Sequence, residues 1–583
     1  MISRTMYSVL EEAAARGGAL AALHQPVPGA PNRVYSWDEF AAAAREIAVA
    51  LRGLGIGKGA IVGLASEARA EFCLADLGIM ANGSIAAALY TSYPVAELAR
   101  ELRACDAEAL FVESPTLLRA LKADPQFPPN LPAILLKGSS TGVMTLDDLR
   151  EMGRAAMEKD PDLFSRIVAE IAPQDGAILY LTSGATGEPK MGMITHEALI
   201  SNVEMGPQVL DIGPADAVLA FLPPAHITQR LALQMLPILC SVPVWFAESL
   251  MKLPDEFLRV RPTVFVAPPR LWERVHASIR TEVRKRGRVV SALFDRAVRL
   301  GLSGVRLRLQ GRRPALLSRL LLALCDRVFF RKVRARFGGR LRICGSGSAP
   351  LGKELAGFFL ATGLPLIEGY GLTEGGVVIL NPPGETRPGS VGKPLPGAEV
   401  RIADDGELLV RGPTIFSGYY KDPVATAEIL RDGWLHTGDL AEIDSDGYVY
   451  ITGRKKDVII LSNGRKVYPA RIESLLTLDP LINQVLLVGD GRPYVSALLT
   501  VKTEAEPARD RGTIEAAVRR VVARVNAKLA TFEQVRKFHV LDRDFSIELG
   551  ELTATLKVRR TRAIENFREK VAECYPAGHE QER

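Results

Sequence analysis

Cysteine is scarce and scattered: Cys73, Cys105, Cys240, Cys325, Cys344 and Cys574 form no C-x-x-C pair and no Cys/His group at metal-ligand spacing. A disulfide scaffold or a structural zinc site is thereby excluded as the source of stability, and each thiol is expected to be a small buried hydrophobe in a reducing compartment. Uninterrupted apolar length is also lacking. Met1 to Gly18 mixes apolar residues with Arg4, Glu11, Glu12 and Arg16, so it holds no signal-peptide core, and the most apolar stretch, Ala315 to Phe330, is broken by Arg319, Asp326 and Arg327. Neither reaches the roughly 18 apolar residues that suggest a membrane span. The expectation is a cytoplasmic protein whose membrane contact is at most peripheral, at the cytoplasmic face.

What is present is length, and with it buried volume. A chain of 583 residues exceeds the size at which single cores stop growing, so at least two domains are expected. The helix-like stretch Trp37 to Gly53 alternates with apolar strand-like runs at Ala60 to Leu64 and Ser84 to Ala88. Further strand candidates are Ala109 to Val112, Ala133 to Leu136, Ala177 to Leu181, Ala217 to Phe221, Val242 to Phe246 and Val264 to Val266. This alternation predicts a layered α/β body. After Pro382 the chain turns to short strands between Pro-Gly and Asp-Gly turns, which reads as a small β-rich part over about 383–455. From Lys456 onward a helix (Pro469 to Leu476), two strands (Val485 to Val488, Val495 to Val501) and a long helix (Thr513 to Ala530) predict a separate α+β domain. The division is thus 1–455 and 456–583.

The net charge of +6 conceals one basic segment, Arg280 to Arg342, with 19 Lys/Arg against 3 Asp/Glu. Within it Leu317, Leu320, Leu321, Leu324 and Val328 recur at helical spacing, while Arg319, Arg327, Arg331 and Arg334 fall largely elsewhere on the wheel. Such a helix either lies on anionic lipid or packs on the body with a solvated cationic face. Few aromatics accompany these arginines, so nucleic-acid binding is not expected.

The strand Ala177 to Leu181 runs into Thr182-Ser183-Gly184-Ala185-Thr186-Gly187-Glu188-Pro189-Lys190. Small hydroxylated and glycine residues ending in lysine suit a polyphosphate, because backbone N–H groups, hydroxyls and one point charge can converge on phosphate oxygens. The spacing is not that of the G-x-x-x-x-G-K-[ST] P-loop, and strand-like Met191 to Ile194 follows, so a kinase or P-loop NTPase is disfavoured.

This loop resembles the TSG-T-TG-x-PK segment of the adenylate-forming superfamily, with Ala185 and Met191 as departures. Further segments resemble that superfamily in the same order: Cys344 to Pro350 after a strand expected at Arg340 to Ile343; Glu368-Gly369-Tyr370-Gly371-Leu372-Thr373-Glu374; His436-Thr437-Gly438-Asp439; Gly453-Arg454-Lys455-Lys456-Asp457; and Lys557 near the chain end, preceded by Leu556 in place of the common glycine. The resemblance implies an ATP or AMP site built from Thr182, Ser183, Gly184, Thr186, Gly187, Lys190, Gly347, Ser348, Ala349, Pro350, Glu368, Gly369, Tyr370, Gly371, Thr373, Asp439 and Arg454. It implies catalytic roles for Lys557, Thr182, Lys190 and Glu374, with Mg2+ at Glu374 and Thr182. It also implies a C-terminal domain mobile about Lys456, with Gly464 beside a coenzyme A tunnel.

Phe221 to His226 and Ala267 to Glu273 are similar to segments of long-chain fatty acyl-CoA synthetases, as are the basic insertion and Thr555-Leu556-Lys557. This implies an acyl site bordered by His226, Gly347 and Gly371, and an enzyme that uses ATP, Mg2+ and coenzyme A to convert a fatty acid to its thioester. A homodimer is compatible with the sequence. Synthetases for other acids, fatty acyl-AMP ligases and a catalytically weak nucleotide- or lipid-binding protein stay open as alternatives.

Overall fold

Two parallel-cored sheets carry the large domain, and their central strands are buried on both faces. Ile61–Ala65 and Ile85–Leu89 are buried at every position, the pattern of strands covered by helices on both sides. The computed structural model describes residues 4–183, 189–502 and 511–575. In the first sheet, Gly176–Ser183, Ile85–Leu89, Ile61–Ala65, Ala109–Val112, Ala133–Leu135 and Met144–Thr145 run parallel. Pro189–Thr195 and Gly418–Tyr419 add antiparallel strands at one edge.

In the second sheet the parallel strands are Leu366–Leu372, Ile343–Ser346, Val264–Ala267, Val218–Ala220, Val244–Phe246 and Ala21–Val27. Antiparallel strands flank them at both edges: Gly376–Leu380 and Lys393–Pro394, and Ala30–Ser36. The strand expected at Arg340 to Ile343 starts later, at Ile343. Gly338 and Gly339 both hold positive φ and turn the chain, and pairing begins with Ile343 opposite Val264.

Helix Ala70–Ala81 is buried along its whole length and packs into the same core as both sheets. Its charged residue Asp76 is satisfied there: the fully buried Arg230 guanidinium pairs with it and Gln234 Nε2 donates to its Oδ2 at 2.7 Å. The helix Trp37–Gly53 begins in a capping box in which Ser36 and Glu39 satisfy each other's backbone N–H.

The β-rich part is a five-stranded sheet of Glu399–Ile402, Glu407–Arg411, Leu430–Arg431, Trp434–Ile443 and Val449–Arg454. After Arg454 the chain builds a separate core from residues between Ile459 and Val540. It covers a three-stranded sheet, Ile482–Val488, Val495–Val501 and Val535–Val540, with helices Pro469–Thr477 and Arg511–Asn526. The architecture is therefore mixed α/β, with a large N-terminal and a smaller C-terminal domain.

Two sequence expectations need correction. Cys240 and Cys325 are only half-buried, unlike the other four cysteines. The helical spacing of Leu317 to Val328 is not carried by one α-helix: Leu316–Cys325 passes into a π-helical turn at Asp326–Phe330.

Candidate active site

The hairpin of Gly176–Ser183 and Pro189–Thr195 pairs Thr182 with Lys190 and Ser183 with Pro189, so both ends of the hydroxyl-rich loop leave the first sheet together. Gly184, Ala185, Thr186, Gly187 and Glu188 lie outside the described residues. Lys190 Nζ lies 4.9 Å from the centre of the Tyr419 ring. The Tyr419 hydroxyl donates to Glu374 Oε1 at 2.7 Å. Glu374, expected as a metal ligand, is therefore oriented by a tyrosine whose ring also faces the loop lysine.

No group of three or more His, Cys, Asp or Glu that could hold a metal occurs among the described residues. A lone carboxylate still fits Mg2+, which keeps several waters and is held by one or two carboxylates together with substrate phosphates.

Asp439 and Arg454 face each other directly across the antiparallel pair Trp434–Ile443 and Val449–Arg454. Arg454 Nε donates to Asp439 Oδ1 at 2.8 Å, and the Tyr370 hydroxyl donates to Oδ2 at 2.7 Å. Tyr370 ends up there because Leu366–Leu372, after pairing with Ile343–Ser346, runs on into an antiparallel hairpin with Gly376–Leu380 that turns at Thr373 to Gly375. A Cβ on Gly371 would lie 2.4 Å from the Gly376 carbonyl oxygen, so glycine is required for the backbone approach itself. Thr373 opens that turn, its methyl 3.8 Å from where a Cβ on Gly192 of the phosphate-loop hairpin would stand.

Strand Ile343–Ser346 delivers the Gly347 to Pro350 loop, in which Ser348 holds φ +72° and its hydroxyl lies 3.4 Å from that of Thr228. Glu368 lies beneath this loop. Its Oε1 accepts the Leu351 N–H at 2.9 Å, while its buried Oε2 and the nearby Ser346 hydroxyl have no protein partner. Burial pushes the Glu368 carboxyl up to about 7. A buried carboxyl with one unused oxygen, under a glycine-containing loop, fits a ligand bearing its own donors and acceptors, as a purine does.

His226 caps helix Ile227–Arg230, its Nδ1 accepting the Thr228 N–H at 3.1 Å. With Nδ1 an acceptor, the ring is neutral and protonated on Nε2. Its pKa is pushed down to about 4, first by burial and second by the charge of Lys557.

Lys557 belongs to the small domain yet lies within electrostatic range of these groups of the large one. Its ammonium is lowered to about 8, first by loss of surrounding water and second by the Arg454 guanidinium, with Asp439 acting the other way. The side chain remains open to solvent, so the shift reflects a position between cleft walls and not a sealed core. The loop carrying it is held by Tyr93 of the large domain: the Ala554 N–H donates to the Tyr93 hydroxyl at 3.3 Å, as does Arg559 Nη2. Leu556, just before the lysine, holds φ +62°, the left-handed region in which glycine is unstrained.

Lys456 lies exposed in the short 3-10 turn Lys455–Asp457 between the domains. Gly464, φ +76°, closes a turn in which its N–H donates to the Leu461 carbonyl at 2.8 Å, and open space surrounds it. Tyr419, Tyr93 and Arg559 were not singled out from the sequence. Their contacts bridge 45, 461 and 466 residues, and no local spacing signals them.

The family pattern described as AMP-binding enzyme matches residues 10–420, and that described as AMP-binding enzyme C-terminal domain matches residues 456–579. A Mycobacterium tuberculosis protein named long-chain-fatty-acid–CoA ligase FadD15 is 35% identical over 558 residues, covering 91% of this chain and 90% of that protein. Peroxisomal long chain acyl-CoA synthetase 7 of Arabidopsis thaliana is 30% identical, covering 93% and 82%. Among solved structures, the anthranilate CoA ligase AuaEII in complex with anthranoyl-AMP superposes with a TM-score of 0.77 at 22% identity, covering 98% and 99% of the two chains. Fold, ordered segments and whole-length similarity converge, and the chain belongs to the AMP-binding enzyme family.

Proposed function

We propose that this protein is an ATP-dependent, AMP-forming acyl-CoA synthetase that converts a long-chain fatty acid to its coenzyme A thioester through an acyl-adenylate. The observation that carries the reading is the position of Lys557, brought by the small domain beside the Asp439–Arg454 pair of the large domain. The relatives named for long-chain acids, similar over most of their length, support the substrate class.

A carboxylate does not acylate a thiol directly, because oxide would have to leave. In the first half-reaction a carboxylate oxygen attacks the α-phosphorus, the bond to pyrophosphate breaks, and the acid becomes a mixed anhydride with AMP. The Lys557 ammonium lies where it can offset negative charge shared by carboxylate and α-phosphate, a type of stabilisation worth about 10²-fold or more in rate. Asp439, held by Tyr370 and Arg454, offers carboxylate oxygens to the ribose hydroxyls, and the Glu368 and Ser346 oxygens accept or donate at the base. Glu374 and Thr182 would hold Mg2+, which would supply neutralisation of the polyphosphate charge. Lys190, at the end of the loop that Thr182 opens, would act on the same charge.

In the second half-reaction the coenzyme A thiolate attacks the acyl carbon and AMP leaves with the electron pair. Rotation about Lys456 would withdraw Lys557 and bring Gly464 to the pantetheine path, so that one cleft serves both steps. His226, neutral at pH 7, borders the acyl side. The cytoplasm, where ATP and coenzyme A are available, suits this chemistry.

The test is pyrophosphate release and product mass across acids from acetate to oleate, with and without coenzyme A. Acyl-CoA and AMP maximal at long chains are expected. Acyl-adenylate without thioester would replace the reading with an acyl-AMP ligase, and a short or aromatic optimum would replace the substrate.

A further inference from the structure

Helix Leu316–Cys325 and the π-helical turn Asp326–Phe330 after it carry an apolar ridge turned away from the protein. Leu316, Leu317, Leu320, Leu321, Leu324 and Val328 are 40–71% exposed, and no residue of Leu316–Cys325 is buried. The opposite face makes the attachment. Leu322 Cδ1 lies 3.3 Å from where a Cβ on Gly304 of helix Arg288–Leu309 would stand, and Phe329 packs edge-on against Phe294 at 5.6 Å between ring centres. The helix is thus docked through one narrow face and leaves most of its leucines outward. That excludes the alternative in which its apolar face packs on the body and only charge meets solvent.

Six apolar side chains contiguous on one helix exceed the scattered exposure normal on a protein surface and mark an interaction site. Charge decides the partner. All three acids of the Arg280 to Arg342 segment are paired internally: Glu282 with Arg286 and Arg336, Asp295 with Arg280, and Asp326 with Arg334. Arg312, Arg313, Arg319, Arg327 and Arg331, which precede and flank the ridge, carry no ion pair among the described residues. A leucine ridge between unpaired guanidiniums suits a surface that is apolar within and anionic at its boundary. A lipid bilayer bearing anionic headgroups is such a surface: leucines enter the acyl boundary while arginine stems extend toward the phosphates. No helix among the described residues is long and apolar enough to cross a membrane, so contact is by lying on the surface.

We infer that Leu316 to Val328 is a lipid-docking element through which this protein binds anionic membrane surfaces. The inference rests on this helix and its charges, and holds whatever acid the cleft accepts. The experiment is flotation of the full-length protein with vesicles of phosphatidylcholine alone and of phosphatidylcholine containing about a quarter phosphatidylglycerol, alongside light scattering. Wild type is expected to float with the anionic vesicles, less so as salt screens the arginines. The triple variant Leu317→Ser, Leu320→Ser, Leu324→Ser is expected to bind at least about tenfold more weakly. Its melting temperature and its turnover of detergent-dispersed acid should equal those of wild type, because these side chains touch neither core nor cleft. Absence of wild-type flotation, or equal flotation of the variant, would overturn the inference. So would a wild-type dimer that the variant converts to monomer, since the ridge would then face a second copy.

Discussion

The Lys557 ammonium titrates where an ordinary assay can reach it. A lysine left in water loses its proton near pH 10.5, whereas here the value is lowered to about 8. Lowering shrinks the pH range over which the charge exists: it is complete well below 8 and lost as pH rises through 8. Adenylation measured as kcat/KM, which reports the free enzyme, should therefore fall through an alkaline limb centred near 8. In Lys557→Arg the guanidinium stays charged throughout this range, and the limb should vanish even if the rate is lower. A wild-type profile flat to about pH 10 would contradict this assignment.

Leu556 gives a second prediction at this scale. A left-handed conformation costs an L-residue about 1–2 kcal/mol, and the half-exposed leucine recovers little of it by burial. Leu556→Gly should raise the small domain's unfolding free energy by about 1 kcal/mol in urea titration, opposite in sign to glycine at most positions. That a glycine is commonly found before this lysine was readable from sequence; the φ that explains it was not. Tyr419 was invisible for a different reason, since nothing near it in sequence announces a hydroxyl directed at Glu374.

Among the elements, strands buried on both faces were the most legible. Ala109–Val112 and Val495–Val501 have the bounds expected from sequence, because continuous apolar runs between turns leave little choice. Starts set by partners were not legible: Ile343 begins its strand opposite Val264, three residues after the expected position at Arg340. Sheet order was illegible as well, because strands distant in sequence become neighbours. Helix Ala70–Ala81 illustrates how the layers are joined, with Asp76 locked to Arg230 and Gln234 in the buried interior. Removing one partner of such a pair leaves a buried charge and typically costs about 3–5 kcal/mol. Asp76→Ala should lower the urea midpoint of the large domain accordingly. A shift below about 1 kcal/mol would show that the guanidinium finds another partner there.

At the scale of the whole molecule, the ordered segments made the family legible and the division into two domains followed from texture. Which surface of the basic insertion faces out was not readable, because hydrophobic periodicity fixes a stripe and not the side on which the body lies. The sequence also leaves undetermined how the domains sit together. In the structure the small domain rests with the Thr553–Lys557 loop against Tyr93, and Lys557 within electrostatic range of Asp439 and Arg454. This is an arrangement suited to adenylation, and the central claim is that Lys557 serves that half-reaction alone. The most direct measurement compares Lys557→Ala with wild type in two assays: acid-dependent ATP–pyrophosphate exchange, and thioester formation from supplied acyl-adenylate and coenzyme A. The account predicts that exchange falls by about 10²-fold or more while thioester formation persists; an equal loss in both assays would contradict it.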